Sequence, residues 1–281
     1  MRRLTQSELK SILLSTSFWI ICAGVAVARF GMAVSFARYT QLYMPHPDNP
    51  QLVITIAGAS KYYLFIRAIA GSDFILPLAC SLAVGASFAT DRKTRVAQYV
   101  LTRGFRKWQY LLAKAVAMML CSMLLIAIVQ GVAWIVSVIL ARYPTVQPWE
   151  LVGGSARTLD NLLFHHIPGQ YVLRVGFLQV FAAASIATVP LLIAALGGNA
   201  WVSTIGTLLL WVLAEYACNG NTWAFLYPGF RVQWLWWNAS SGFRILVACP
   251  SFLRSSFAYW GIFLLLNVGF AAFIYLRQED A

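Results

Sequence analysis

Residues 91–114 read DRKTRVAQYVLTRGFRKWQYLLAK and contain seven Lys or Arg residues but only one acidic residue. Long apolar runs lie on both sides of this basic segment. The chain of 281 residues is 60% hydrophobic and 11% charged, whereas soluble domains carry about 25% charged residues. The composition therefore indicates a membrane protein, in which residues 91–114 connect two membrane-spanning helices.

The formal net charge of +12 could suggest a nucleic-acid partner. The basic residues are spread between apolar runs, however, so membrane topology explains them better and no nucleic-acid partner is expected. With both termini inside, the inner segments are denser in Lys and Arg than the outer ones; they are 1–10, 91–107, 197–200 and 277–281. We expect a multi-pass protein of a prokaryotic plasma (cytoplasmic) membrane with both termini cytoplasmic.

Six apolar runs approach the length of about 20 residues that a membrane-spanning helix requires. They are residues 13–36, 73–90, 109–140, 174–196, 200–218 and 257–276. The predicted fold class is therefore an all-α polytopic membrane protein, with one transmembrane domain over residues 1–281. Only Gly197, Gly198 and Asn199 separate the fourth and fifth candidates, which predicts a tight antiparallel hairpin.

The N-terminus is predicted to form a short interfacial helix before the first span. Thr5 and Glu8 have the spacing of a capping box, which is typical of a helix start. The apolar side chains of this helix are expected to face lipid; they are Leu4, Ile12 and Leu13.

Two outer segments, residues 51–71 and 223–253, are too interrupted to span and too apolar for water. Such segments predict re-entrant or interfacial helices. The second contains Trp234, Trp236 and Trp237, which favour the level of the lipid headgroups. In the same region, Cys218 and Cys249 could form a disulfide if their loop faces an oxidising compartment, and Asn238 begins a glycosylation sequon.

The basic segment has an amphipathic pattern of its own. Val96, Tyr99 and Val100 have the i, i+3, i+4 spacing of one helix face. Gly104 can end that helix in a left-handed conformation, and Phe105 to Trp108 then start the next helix. A purely lipid-facing anchor would explain the charge but not a separate amphipathic helix followed by a glycine.

A resemblance to a known family rests on residues 100–114, VLTRGFRKWQYLLAK. They resemble the coupling region of ABC-2 type permeases, the membrane subunits of one group of ABC transporters, which often reads L-L-T-R-P-V-S-R-W-x-Y-L-L-x-K. Gly104, Arg106 and Lys107 stand where that pattern has Pro, a small polar residue and Arg, and Asp91 represents the acidic residue common before the coupling helix. The six-span layout, the interfacial N-terminal helix and the apolar outer segment before the last span extend the resemblance.

The resemblance implies that a cytoplasmic coupling helix between spans two and three docks onto an ABC ATPase subunit. The expected ATPase-coupling residues are Arg92, Arg95, Val96, Tyr99, Val100 and Arg103. The sequence has no GxxxxGK[ST] phosphate loop, so ATP and Mg²⁺ are expected on a separate chain. This chain is then neither an enzyme nor the holder of a cofactor.

The resemblance also implies a second permease chain, identical or related, that completes the translocation path. The expected function is export. The aromatic outer segments, together with the lack of a polar binding cluster, favour lipids, lipid-linked sugars or hydrophobic peptides as substrates, and membrane lipid as a further partner.

Arg29 lies inside the first predicted span, where an isolated charge is costly and needs a partner. Asp73 and Glu215, near the outer ends of spans two and five, are the available acids. We expect a structural ion pair; the alternative is a polar patch along the substrate path. His165 and His166 are adjacent rather than four residues apart, so no metal site is expected.

Two other functional classes remain open. A polytopic enzyme acting at the headgroup level would need catalytic groups, and the sequence shows no HExxH motif and no paired carboxylates at catalytic spacing. A non-transporting scaffold or sensor subunit is the other class. A neighbouring gene for an ATPase would favour the transporter over both.

Overall fold

The computed structural model describes residues 2–39, 41–46, 49–57, 59–69, 72–94, 96–147, 164–218 and 252–277. These residues are predominantly helical. The helices of the first half are α1 (Arg2–Leu13), α2 (Thr16–Tyr39), α3 (Lys61–Ile69), α4 (Ser72–Val84), α5 (Ser87–Lys93) and α6 (Val96–Thr102). Those of the second half are α7 (Lys107–Leu140), α8 (Pro168–Ile186), α9 (Thr188–Ala195), α10 (Ala200–Cys218) and α11 (Phe252–Arg277).

Four helical stretches of the described residues are long and apolar enough to cross a membrane. They are Thr16–Ala37, Lys107–Leu140, Pro168–Ala195 and Arg254–Arg277. The 34 residues of α7 correspond to roughly 50 Å of helix, which exceeds a hydrocarbon core of about 30 Å. Helices of this length and composition are typical of a polytopic membrane protein, as the composition predicted.

One of the six predicted spans is divided into two shorter helices in the structure. The candidate 73–90 is divided between α4, of 13 residues, and α5, of 7 residues. Gly85 and Ala86 form a turn between these helices, and glycine is about 1 kcal/mol less favourable than alanine inside a helix. The helix α10 covers the whole candidate 200–218 with its 19 residues.

The outer segment 51–71 is only partly helical, which corrects the expectation of a re-entrant or interfacial helix there. Strand β1 (Gln41–His46) pairs antiparallel with β2 (Asn49–Ala57). The run Leu-Val-Ile-Thr-Ile at residues 52–56 is rich in β-branched residues, which favour strands. The helix α3 follows, and six of its nine residues are buried, so it lies within the bundle rather than at its surface.

The helix α1 packs on protein, which corrects two expectations for the N-terminus. Leu4, Glu8 and Ile12 follow each other at intervals of four residues and are all buried. This spacing places them on one helix face, and α1 packs against α7. Because α1 begins at Arg2, Thr5 lies inside the helix and does not cap it.

The central helix is α7, which packs against α1, α2, α3 and α8. Its buried face includes small side chains, among them Ala113, Ala117 and Ala133, and α8 contributes Ala182 and Ala183. Small residues allow helix backbones to approach closely where there is no water to drive association. The bundle is therefore organised around α7, which carries polar residues near both of its ends.

The connection between α9 and α10 is as short as the sequence predicted. The two helices end and begin at Ala195 and Ala200. Gly197 has a φ of 97°, in the left-handed region that glycine enters without a steric penalty. The pair therefore forms a tight helical hairpin.

Candidate functional site

The predicted coupling segment forms two short helices and a turn before α7. The helix α6 spans Val96–Thr102, and α7 begins at Lys107. Gly104 has a φ of 86°, which confirms the expected left-handed conformation at the end of α6. Val96, Tyr99 and Val100, which were predicted to share one apolar face of α6, differ in their solvent exposure.

Val96 and Tyr99 are 39% and 57% exposed, whereas Val100 packs partly against the hydrophobic core. Ala97 is buried and fixes the inner face of the helix. Val96 and Tyr99 are therefore the large apolar side chains of α6 that are exposed. We call these two residues the α6 face.

Arg103 holds the ring of Tyr99 in place. Its guanidinium carbon lies 4.3 Å from the centroid of the Tyr99 ring, and its Nη2 donates a hydrogen bond to the Tyr99 hydroxyl. A guanidinium over an aromatic face is attracted by the ring quadrupole. Arg103 thus restricts the rotamers of an otherwise exposed aromatic side chain.

Arg92, another predicted coupling residue, makes an internal contact. Its Nη1 donates to the carbonyl of Ala194 at 2.6 Å, in the last turn of α9. The Ala194 carbonyl also accepts from the backbone nitrogen of Gly197 at 3.1 Å, and a cation at a helix C-terminus is favoured by the helix dipole. Arg92 therefore ties α5 to the end of α9, while Arg95 lies outside the described residues.

A buried group of charges lies beneath this segment, at the start of α7. The Nζ of Lys114 is 2.7 Å from Oε2 of Glu8 on α1 and 2.5 Å from Oδ2 of Asp91 on α5. The Tyr110 hydroxyl donates to the same Asp91 oxygen at 2.8 Å. We call these four residues the lysine cluster.

The lysine cluster is shielded from solvent. The side chain of Lys114 is 1% exposed, and those of Glu8 and Asp91 are 9% and 18% exposed. Buried ions persist when they are paired and their remaining hydrogen-bonding capacity is satisfied. The cluster joins α1, α5 and α7 and so fixes α5, and with it α6, on the body of the bundle.

A second buried polar group, which we call the carbonyl cluster, surrounds the C-terminus of α3. Arg29, which is 3% exposed, donates from Nη1 to the carbonyl of Ala68 at 2.9 Å. The Nε2 of Gln179 donates to the carbonyl of Ile69 at 3.2 Å. Gln179 in turn accepts a hydrogen bond from Nε2 of Gln130 at 3.0 Å.

This arrangement gives Arg29 a backbone partner that the sequence did not predict. The last carbonyls of a helix have no partner within the helix, and no water satisfies them inside a bilayer. Arg29 supplies a donor to one of them. The side chains of Asp73 and Glu215 lie outside the described ones, so their pairing with Arg29 stays a prediction.

Several other predicted features also fall outside the described residues. They are the segment 223–253 with Trp234, Trp236 and Trp237, the side chain of Cys218, Cys249 and the sequon at Asn238. In the part of the chain that the structure describes, no group of three or more His, Cys, Asp or Glu side chains could hold a metal ion.

Sequence reasoning predicted that Gln130 bonds to a neighbouring helix, which is confirmed, but it missed Gln179 as the partner and the whole lysine cluster. Lys114 was visible as one charge inside an apolar run, and Glu8 as one acid four residues from Leu4 and from Ile12. Those signals identify buried polar positions without identifying their partners. No family model matches the sequence, and no curated protein shows significant similarity to it.

Proposed function

We propose that this chain is the membrane-spanning permease subunit of an ATP-driven transporter of the ABC-2 type. In this proposal it crosses the membrane six times with both termini in the cytoplasm. It pairs with a second permease chain, and cytoplasmic ABC ATPase subunits bind ATP and Mg²⁺. Its substrate is a lipid, a lipid-linked molecule or a hydrophobic peptide, which it exports.

The observation that carries this proposal is the exposed α6 face on a short, rigidly held helix. Val96 and Tyr99 lie outside the hydrophobic core next to a glycine turn. An amphipathic helix that offers apolar anchors typically enters a groove on a partner. The resemblance of residues 100–114 to the ABC-2 coupling region favours an ABC ATPase as that partner.

The lysine cluster supports the same proposal on mechanical grounds. Asp91 precedes α6 and Lys114 follows it, so their ion pair closes the segment that carries the α6 face. Glu8 adds a link to α1. A force applied to α6 would therefore reach α1 and α7 through short, charged contacts rather than through a loose loop.

The test is co-purification of the ATPase subunit with Tyr99→Asp. A carboxylate in an apolar groove is costly to bury, and a loss of about 1.4 kcal/mol reduces binding about tenfold. We expect at least that reduction, with unchanged amounts of the permease in the membrane. Gln98→Asp is the matched control, because Gln98 is also exposed on α6 but lies off the apolar face.

A pure lipid anchor predicts the opposite pattern. In that case Tyr99→Asp would retain the ATPase as well as the wild type does, and neutralising basic residues of the segment would matter more. Such a result would reject the docking role of α6. Failure of any ATPase with a Walker motif to co-purify with the wild-type chain would reject the transporter itself and favour an enzyme or a scaffold.

A further inference from the structure

An open groove of about 590 Å³ lies between α3, α7 and α8. Its volume is within the range of about 300–1,000 Å³ that is usual for ligand sites. Two of its walls belong to Lys107–Leu140 and Pro168–Ala195, which are long and apolar enough to cross a membrane. A membrane would therefore surround this groove with hydrocarbon chains instead of water.

One wall of the groove is aromatic and fixed in position. The ring of Trp134 packs against those of Tyr62 and Phe65, with centroid distances of 5.8 and 5.5 Å. The start of α3 is attached to the end of α7, because the backbone nitrogens of Arg142 and Tyr143 donate to the carbonyl of Ala59 at 3.1 and 3.4 Å. The groove is therefore formed without an occupant.

The other side of the groove is lined by glycines. Gly131 on α7 and Gly169 on α8 both line it, and no atom lies within 4 Å of the place where a Cβ would be. A straight hydrocarbon chain can lie against exposed backbone at these positions. The polar lining residue Gln130 already donates its amide to Gln179, so it places little demand on an occupant.

A positive charge lies beside the aromatic wall. The Nζ of Lys61 is 5.1 Å from the centroid of the Tyr62 ring, and Tyr62 lines the groove. An occupant with an apolar body and an anionic end therefore matches both the wall and the charge. An extended peptide matches less well, because its backbone polar groups would lie unsatisfied in an apolar groove.

We propose that this groove binds one acyl chain of an anionic phospholipid, whose phosphate pairs with Lys61. The inference goes beyond the proposed transport function and does not depend on it, since it needs only the chain and a bilayer. The site would be a fixed lipid position on the protein, in contrast to the exchanging lipids around the rest of its surface.

The experiment uses the full chain purified in detergent. It is titrated with phosphatidylglycerol or with phosphatidylcholine of the same acyl chains, and native mass spectrometry counts the phospholipids that each chain retains. We expect the wild type to retain one phosphatidylglycerol and to prefer it over phosphatidylcholine by about fivefold, the effect of one lysine near an anionic lipid.

Two variants test the acyl-chain groove and the phosphate contact of Lys61 separately. Gly131→Leu extends a side chain into the groove from a Cβ that would meet nothing within 4 Å, and it should abolish retention of the bound lipid, whichever headgroup is used. Gly261→Leu on α11 is the matched control, because its Cβ would also meet nothing within 4 Å and Gly261 is not among the lining residues. Lys61→Gln should remove the preference for phosphatidylglycerol while retention of phosphatidylcholine persists.

Three results would overturn the proposal. The first is equal lipid retention by Gly131→Leu and Gly261→Leu. The second is an unchanged headgroup preference in Lys61→Gln. The third is a wild-type dimer that Gly131→Leu dissociates with no change in lipid count, which would make the groove an interface between two copies. The melting temperature of each variant shows whether it has folded.

Discussion

The lysine cluster and the carbonyl cluster bury polar groups in the same helical bundle but pair them in different ways. In the lysine cluster, the ammonium of Lys114 meets the carboxylates of Glu8 and Asp91. In the carbonyl cluster, Arg29 and Gln179 donate to backbone carbonyls at the end of α3. One cluster pairs charges with charges, and the other pairs side-chain donors with backbone.

The two kinds of pairing differ in how sensitive they are to substitution. Removing one charge from a buried ion pair leaves its partner uncompensated, which is strongly destabilising. Removing a donor from a neutral carbonyl leaves one unsatisfied acceptor, which costs less. We therefore expect three substitutions to fall in a definite order of severity.

The largest effect is expected from Lys114→Met. It leaves two buried carboxylates without their shared cation, and loss of one partner of a buried pair costs about 3–5 kcal/mol. We expect a greatly reduced yield of folded protein, measured as the monodisperse fraction in detergent. The triple variant that adds Glu8→Gln and Asp91→Asn should recover much of this yield, because no charge is then left unpaired. If the triple variant is as poor as the single one, charge imbalance is not the cause.

Arg29→Met should have an intermediate effect. It removes the donor to the carbonyl of Ala68, and an unsatisfied buried acceptor costs about 1–3 kcal/mol. The expected result is a lower thermal unfolding temperature in detergent, with a smaller loss of folded yield than for Lys114→Met. Arg29→Lys keeps a donor and a charge and serves as the control. An effect as large as that of Lys114→Met would indicate that Arg29 belongs to an ion pair, as the sequence first suggested.

The smallest loss of stability is expected from substitutions of Gln130 and Gln179, which are hydrogen-bonded to each other. Gln130→Leu removes one hydrogen bond between α7 and α8, and such bonds in membrane proteins average about 0.6 kcal/mol. Gln179→Leu should cost more, because it also removes the donor to the carbonyl of Ile69. A double-mutant cycle on the unfolding temperature isolates their coupling. Coupling well above that average would mean that the carbonyl cluster acts as one cooperative network.

Local features of the fold could be predicted from the sequence because each depends on neighbouring residues. The membrane class, the stop of α6 at Gly104 and the short connection through Gly197 follow from hydropathy and from the conformational freedom of glycine. The strand at residues 49–57 was missed because its apolar residues were interpreted by hydropathy alone, although several are β-branched.

The partners of the buried polar residues could not be predicted in the same way. Glu8 and Lys114 lie 106 positions apart, and no local pattern joins them. Arg29 was expected to meet an acid, since a buried charge needs compensation. One acceptor of Arg29 is the backbone carbonyl of Ala68, which becomes available because α3 ends inside the bundle. That acceptor carries no signature in the sequence.

The order of residues in the lysine cluster has a consequence for the synthesis of the chain. Glu8 and Asp91 both precede Lys114, so both carboxylates leave the ribosome before the lysine does. At about 5–20 residues per second, Glu8 is made several seconds earlier. The apolar segment that carries Lys114 therefore reaches the membrane when both of its counter-charges already exist. In a circular permutant that reverses this order, Lys114 would be synthesised before Glu8 and Asp91. It would then enter the membrane without its two counter-charges.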